Sequence, residues 1–318
     1  MPPTFGLIII GDEILSGKRP DKHLPKVIEL LAARGLQLGY ADYVGDDPPR
    51  ITSTLARAFA AAKDSGDVVF SCGGIGATPD DHTRQCAAKA WGRPLALHLD
   101  AKWLIEERMR DVAKEQGVAF DPARDDNLHR LNMGVFPKGC EIVPNPYNKI
   151  PGFFCPADAA NNNRSDRIND SHPQQAPRDW LRQTAGAEAP SGCRELRDAS
   201  ERGGGIYFLP GFPVMAWPMI EWVLDQHYAH LHQRAARTEK SVIVKGSMEA
   251  TLTPLMLAIE AGHAGIRVFS LPSVDHPEYG RHIELGVKGA PDHVDLAFPA
   301  LLAGLHQLNL KLGPQLVR

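Results

Sequence analysis

The segment Ser71-Cys72-Gly73-Gly74-Ile75-Gly76-Ala77-Thr78-Pro79-Asp80-Asp81-His82-Thr83 carries the densest chemistry in the chain. Gly73, Gly74 and Gly76 permit unusual backbone angles and let a ligand approach the main chain closely. Thr78 suits a helix N-cap, Pro79 the first helical position and Asp81 the third, so the spacing predicts a helix start whose amides face the glycine loop. Such a loop opening onto a helix N-terminus suits a phosphate, although the segment matches neither the P-loop nor the dinucleotide fingerprint. Asp80 and Asp81 are also what any helix start favours. Beside a bound phosphate, a carboxylate repels it by roughly 4 kcal/mol at about 4 Å for an effective dielectric near 20. A divalent cation such as Mg, Mn or Co, or a donor-rich ring bonded to Asp81, resolves that conflict.

Two further clusters stand at comparable places. In Gly11-Asp12-Glu13-Ile14-Leu15-Ser16-Gly17, Gly11 allows a turn, while Asp12 and Glu13 offer acceptors to amine donors or ligands to a hard cation. Asp46 and Asp47 follow Val44 in the same way. Each cluster alone reads as a turn; three of them at consecutive strand ends point to one crevice.

The elements that must position these residues follow from the apolar pattern. Phe5 to Ile10 is a continuous apolar run of the kind a doubly covered parallel strand needs. Leu24, Val27, Ile28 and Leu31 repeat at helical spacing, with Arg34-Gly35 as a stop. Leu36 to Val44 predicts a second strand, Pro49 to Ala62 a second helix and Asp67 to Cys72 a third strand. This β-α-β-α-β order predicts a doubly wound parallel sheet, whose ligands lie outside the carboxyl ends of the strands.

Beyond it, Ala101 to Val112 predicts a helix, Glu141 to Val143 and Ile206 to Leu209 strands, and Val214 to Leu224 a helix. Residues 155–203 are crowded with polar residues without a period and read as an irregular insertion in a first domain spanning 1–232. A polar hinge around Gln233 to Lys240 leads to a small domain over 237–312, read as β-α-β-β-α. Its Gly262-His263-Ala264-Gly265 resembles the GxxG loop of RNA-binding KH domains, but it falls between a helix and a strand, where a glycine helix stop is expected.

Composition narrows the classes. With 43% hydrophobic and 23% charged residues the chain can bury a core, and its net charge of −3 disfavours a dedicated nucleic-acid binder. The apolar run at Leu7 to Ile10 is broken at once by Gly11-Asp12-Glu13, and no membrane or targeting segment is expected. Cys72, Cys86, Cys140, Cys155 and Cys193 form no CxxC pair, which argues against a disulfide framework or structural zinc and for a reducing, cytoplasmic setting. His82 beside Asp81 and His129 beside Arg130 could assist proton transfer, yet a lone histidine is more often a surface or core residue than a catalyst; His227, His230 and His232 lack zinc-protease spacing, and no GxSxG elbow is present.

Taken together in order, GDEILSG, VGDD and GGIGATPDDHT resemble the MoaB/MogA superfamily of molybdopterin-binding domains, and more closely the amino-terminal domain of CinA proteins. Asn127, the Asn145 to Phe153 stretch and Leu209-Pro210-Gly211-Phe212-Pro213 resemble that family's later signatures, and the small domain resembles the KH-like region that follows in CinA. The resemblance implies a three-layer αβα fold with a mostly parallel sheet. It implies a phosphate-bearing pterin or nucleotide as ligand, held through Gly11, Asp12, Glu13, Ser16, Gly73, Gly74, Gly76, Thr78, Asp80, Thr83, Asn145, Pro151, Gly152, Pro210 and Gly211. Asp46 and Asp81 match its two functional acidic positions. Relatives imply a homo-oligomer, dimer or trimer. Two alternatives are a divalent-metal-dependent ADP-ribose pyrophosphatase and an RNA-binding adaptor. Ala77, Lys149-Ile150 and the region at Asp21-Lys22-His23 depart from the CinA pattern. Because the chain ends at Arg318, the carboxyl-terminal amidohydrolase domain of full-length CinA is not expected in it.

Overall fold

Strand β1 (Phe5–Ile10) is buried at all six positions, as a central strand covered on both faces requires. It begins a computed structural model that describes residues 3–157, 203–232 and 238–317. The chain divides into two compact units, Met1–His232 and Gln233–Arg318.

In the first unit β1 is followed by α1 (Asp12–Leu15), α2 (His23–Ala32), β2 (Leu38–Val44), α3 (Pro48–Ser65), β3 (Val68–Cys72) and α4 (Thr83–Trp91). Then come β4 (Leu95–Leu97), α5 (Leu99–Glu115), α6 (Asp125–Leu131), β5 (Val135–Pro137), β6 (Glu141–Val143), β7 (Gly152–Pro156), β8 (Gly205–Leu209) and α7 (Pro213–His227). The six-stranded sheet has the order β2-β1-β3-β8-β7-β6. Its first four strands are parallel, β7 runs against β8, and β6 runs against β7. The expected mostly parallel α/β sheet is therefore present, with one reversed strand.

Alternating side chains feed two cores. Leu7, Ile9, Phe70 and Leu209 pack with Val27 and Leu31 of α2 and Ile220 and Leu224 of α7. Ile8, Val69, Ile206 and Phe208 pack on the other face with Leu55 of α3, Ala87 of α4 and Leu104 and Ile105 of α5. The layers are thus α/β/α, and each such fully buried valine, leucine, isoleucine or phenylalanine side chain contributes about 1.5–3 kcal/mol.

The insertion predicted over 155–203 begins too early: Cys155 and Pro156 close β7, and Cys155 is fully buried. Residues 158–202, Cys193 and most of the polar hinge lie outside the described residues. Cys72, Cys86, Cys140 and Cys155 are free and buried. Among the described residues no helix is long and apolar enough to cross a membrane.

The second unit consists of β9 (Thr238–Lys245), α8 (Glu249–Gly262), β10 (Arg267–His276), β11 (Gly280–Gly289), α9 (Pro291–Gln307) and β12 (Lys311–Val317). Its sheet, β10-β11-β9-β12, is antiparallel throughout. Val242, Leu285 and Val287 bury against Leu252 and Ile259 of α8 and Val294 and Leu301 of α9. The Gly262 to Gly265 segment joins α8 to β10, with Gly265 at φ +81° and the Ile266 N–H donating to the His263 carbonyl, so it forms a helix stop and turn.

Candidate functional site

Four parallel strands deliver four loops to the carboxyl edge of the sheet. In spatial order these are Gly45-Asp46-Asp47 after β2, Gly11-Asp12-Glu13 after β1, Gly73-Gly74-Ile75-Gly76 after β3 and Pro210-Gly211 after β8. Sheet hydrogen bonding runs one residue past the strands: Gly11 N–H donates to the Val44 carbonyl and Gly73 N–H to the Leu209 carbonyl, each at 3.0 Å. The first two loops are cross-bonded. Asp12 N–H donates to Asp46 Oδ2 at 2.9 Å, and Asp46 N–H donates to Asp12 Oδ1 at 3.1 Å.

The glycine loop leans on its neighbours closely enough to require glycine. Gly73 has φ +111°, and a Cβ there would strike the Ile10 carbonyl; Gly74 has φ +66°, and a Cβ there would strike the Thr83 hydroxyl. A Cβ on Gly211 would lie 3.4 Å from the Gly73 Cα, which puts the β8 loop against the β3 loop.

The loop carbonyls are tied back into the protein. Thr83 Oγ1 donates to the Gly73 carbonyl at 3.0 Å, and Thr83 N–H to the Gly74 carbonyl at 3.0 Å. Arg84 Nη2 donates to the Gly76 carbonyl at 2.7 Å, while its Nη1 donates to the Asn132 carbonyl. The amides of Gly74, Ile75, Gly76 and Ala77 have no partner among the described residues.

The helix expected to start at Thr78 starts at Thr83 instead, with His82 as its uncapped N-cap residue. Thr78 to Asp81 close a turn on themselves: Asp81 N–H donates to the Thr78 carbonyl at 3.0 Å, and Asp81 Oδ2 accepts from Thr78 N–H at 2.8 Å and Thr78 Oγ1 at 2.5 Å. Pro79 fits the second position of such a turn as well as it fits a first helical position. The long-range bond from Thr83 N–H to Gly74 then decides where the helix begins. Both threonine hydroxyls donate within the protein, and Thr83 is fully buried, so Thr83 acts in the site by holding the loop.

The acidic clusters feel one another. The Asp46 carboxyl is held above the usual carboxylate range, first by partial burial and then by the charges of Asp12, Glu13 and Asp80, with the Asp12 N–H pulling the other way. Asp80, fully exposed, is held below it by hydrogen bonding to Thr78. Glu13 and Ser16 are exposed on α1 and the turn that ends it, where Ser16 N–H donates to the Asp12 carbonyl at 2.9 Å. Among the described residues no group of three or more His, Cys, Asp or Glu side chains is arranged to hold a metal.

The later signatures reach the same edge because β7 is antiparallel. Gly152 opens β7 beside the carboxyl end of β8, and a Cβ there would strike the Phe208 carbonyl. Asn145 is buried and closes the turn before Pro151: its Nδ2 donates to Asn148 Oδ1 at 2.8 Å and the Ile150 carbonyl at 2.9 Å, and its Oδ1 accepts from Tyr147 N–H at 3.0 Å. Asn127 instead ties α6 to the segment before it, its Nδ2 donating to the Asp121 carbonyl and its Oδ1 accepting from Arg130 Nη1.

Three residues not expected to contribute, His23, Asp21 and Arg84, support the site. His23 is buried, with its Nε2 2.9 Å from the Gly211 carbonyl, and Asp21 accepts from His23 N–H, Leu24 N–H and the Tyr43 hydroxyl. Arg84 follows what reads as a helix start, where a charged side chain is normally solvated; only its bonds to remote carbonyls explain its burial.

Comparison with known proteins finds a matching family and several relatives. The model of a family described as "Probable molybdopterin binding domain" matches residues 6–230. A CinA-like protein of Mycobacterium marinum is 30% identical over 160 residues, covering 49% of this chain and 36% of that protein. A CinA-like protein of Anaeromyxobacter sp. is 31% identical over 150 residues, covering 47% of this chain and 33% of that protein. The match thus spans about a third of the length of these curated relatives. Among solved structures, CinA of Thermoplasma acidophilum aligns with a TM-score of 0.46 at 21% identity, over 70% of this chain and 98% of that one. The tungsten cofactor synthesizing protein MoaB of Pyrococcus furiosus aligns with a TM-score of 0.35 at 17% identity, over 74% and 99%.

Proposed function

The chain belongs to the molybdopterin-binding-domain family, and on that premise we propose that it binds a phosphate-bearing pterin or nucleotide at the carboxyl edge of its parallel sheet. One observation carries this reading. The carbonyls of Gly73, Gly74 and Gly76 are bonded inward while the amides of Gly74, Ile75 and Gly76 have no partner among the described residues, which is the arrangement an anion needs. Phosphate sits on those amides, and the ring lies toward Asp12, Asp46 and Asp81, because carboxylates accept from ring amino groups and repel phosphate. The glycine cradle fits a molybdopterin-type ligand in this respect. Asp46 and Asp81 act on the ring or the transferring group, and Asn145, Pro151, Gly152, Pro210 and Gly211 wall the cleft. Isothermal titration with AMP and with inorganic pyrophosphate tests this: binding to the parent protein, weakened at least tenfold in Asp46→Asn for AMP alone, is the expected result.

A second reading draws support from the electrostatic reach of Asp12, Glu13 and Asp80 on Asp46. A divalent cation arriving with the ligand, for which one or two carboxylates plus substrate phosphate suffice, would neutralise charge on a pyrophosphate. Water would then add to one phosphorus of an ADP-ribose-like substrate as the bridging P–O bond breaks, giving AMP and ribose phosphate. Incubation with ADP-ribose and Mg, Mn or Co decides it, since AMP release no greater than that of Asp81→Ala removes this reading. Assembly as a dimer or trimer in a reducing cytoplasm completes the proposal.

A further inference from the structure

Arg84 is 5% exposed, yet among the described residues no carboxylate lies within ion-pairing distance of its guanidinium. Its Nη2 and Nη1 donate to the carbonyls of Gly76 and Asn132, and its Nε is buried without a partner. A cation taken out of water without a counterion is costly, so its retention requires an offset. The two carbonyls supply part of it, and the Asp81 charge acts on Arg84 from nearby.

We infer that Arg84 is the positioning residue of the glycine loop, and that the counterion it lacks is the phosphate or pyrophosphate group of the ligand. The inference rests on the phosphate-binding reading above. By pulling the Gly76 carbonyl inward the guanidinium turns the peptide on either side so that its N–H groups face the ligand. Its charge, held beneath the loop, favours an anion above it without touching it. Lysine cannot replace it, because one ammonium does not present the fixed fork that spans two carbonyls.

Titration of the parent protein, Arg84→Lys and Arg84→Met with inorganic pyrophosphate tests this, read by calorimetry and by the 15N amide shifts of Gly74, Ile75 and Gly76. The expected result is affinity at least tenfold weaker in both variants, the free-state Gly76 amide shift moved in both, and a smaller rise in melting temperature with pyrophosphate than in the parent. Folded variants that bind pyrophosphate as the parent does would overturn the inference, leaving Arg84 a structural residue. Should Arg84→Met not fold, Arg84→Lys alone decides by the same criteria. A parent protein that does not bind pyrophosphate would instead overturn the phosphate reading itself.

Discussion

Asp12 and Asp46 each accept a hydrogen bond from the other's backbone N–H, at 2.9 Å into Asp46 Oδ2 and 3.1 Å into Asp12 Oδ1. Two loops from adjacent parallel strands are thereby clamped, and the clamp holds two like charges side by side. The arrangement stabilises the loops through the bonds and destabilises them through the charges, and the second effect is the price of an acceptor-rich cleft.

Replacing Asp46 by Asn separates the two effects, since the amide oxygen still accepts from Asp12 N–H. The Asp46 carboxyl titrates above its ordinary value, so its ionised form disfavours the fold at neutral pH, and stability is regained as pH falls through the folded-state value. After discounting for solvent screening at this largely exposed group, Asp46→Asn is expected to stabilise by about 0.2–0.5 kcal/mol near pH 7. That gain should vanish in acid. Thermal melts across pH check it, and a lower melting temperature at neutral pH would contradict it.

Gly73→Ala places a Cβ against the Ile10 carbonyl at φ +111°, where the obstacle is backbone of a central strand. The expected loss is about 1–3 kcal/mol, a fall of roughly 2–4 °C per kcal/mol for a unit of this size. Gly66→Ala meets no atom but shares a positive φ, and serves as the control for conformational cost alone. Equal melting temperatures for the two variants would show that the close approach to Ile10 is absent.

Thr83→Val removes the hydroxyl that holds the Gly73 carbonyl while keeping the shape of the side chain. Leaving that carbonyl unpaired in a fully buried setting costs about 1–3 kcal/mol. Denaturant unfolding should show the loss, accompanied by weaker pyrophosphate binding.

His98, at the start of α5, supplies an acid-sensitive element away from the cleft. Burial pushes its pKa down to about 4, with a Cys140 backbone contact acting the other way. The imidazole stays neutral in the fold while the unfolded chain takes up a proton below about pH 6.5. Its stability contribution is thus complete above that value and is lost as pH falls toward 4, a change of about 3 kcal/mol. His98→Gln should flatten the stability profile over that window, and an unchanged profile in the variant would refute the assignment.

Strands β1 and β3 were legible because each is a short, almost wholly apolar run, and helices α2 and α3 because each carries a clear 3.6-residue stripe; the one-turn helix α1 is too short to show one and read only as a turn. The strand-end clusters were legible because parallel topology fixes which loops share an edge. Strand β7 was not, since Phe153, Phe154 and Cys155 are too few to show a period and abut a polar stretch. Strand β12 carries Gly313 and Pro314, which speak against a strand unless it lies at an edge, as this one does. The start of α4 was misplaced because Thr78-Pro79-Asp80-Asp81 satisfies local capping rules, while the deciding bond joins Thr83 to Gly74 across the turn. Arg84 was invisible for the same reason: both its partners are main-chain carbonyls, which no side-chain pattern records.

The most direct measurement is an amide NMR titration of the isotopically labelled chain, first with inorganic pyrophosphate and then with AMP. The account predicts that pyrophosphate shifts the Gly74, Ile75 and Gly76 amides, and that AMP shifts these and also the Asp12 and Asp46 amides. Saturating shifts elsewhere with these five amides unmoved would contradict it.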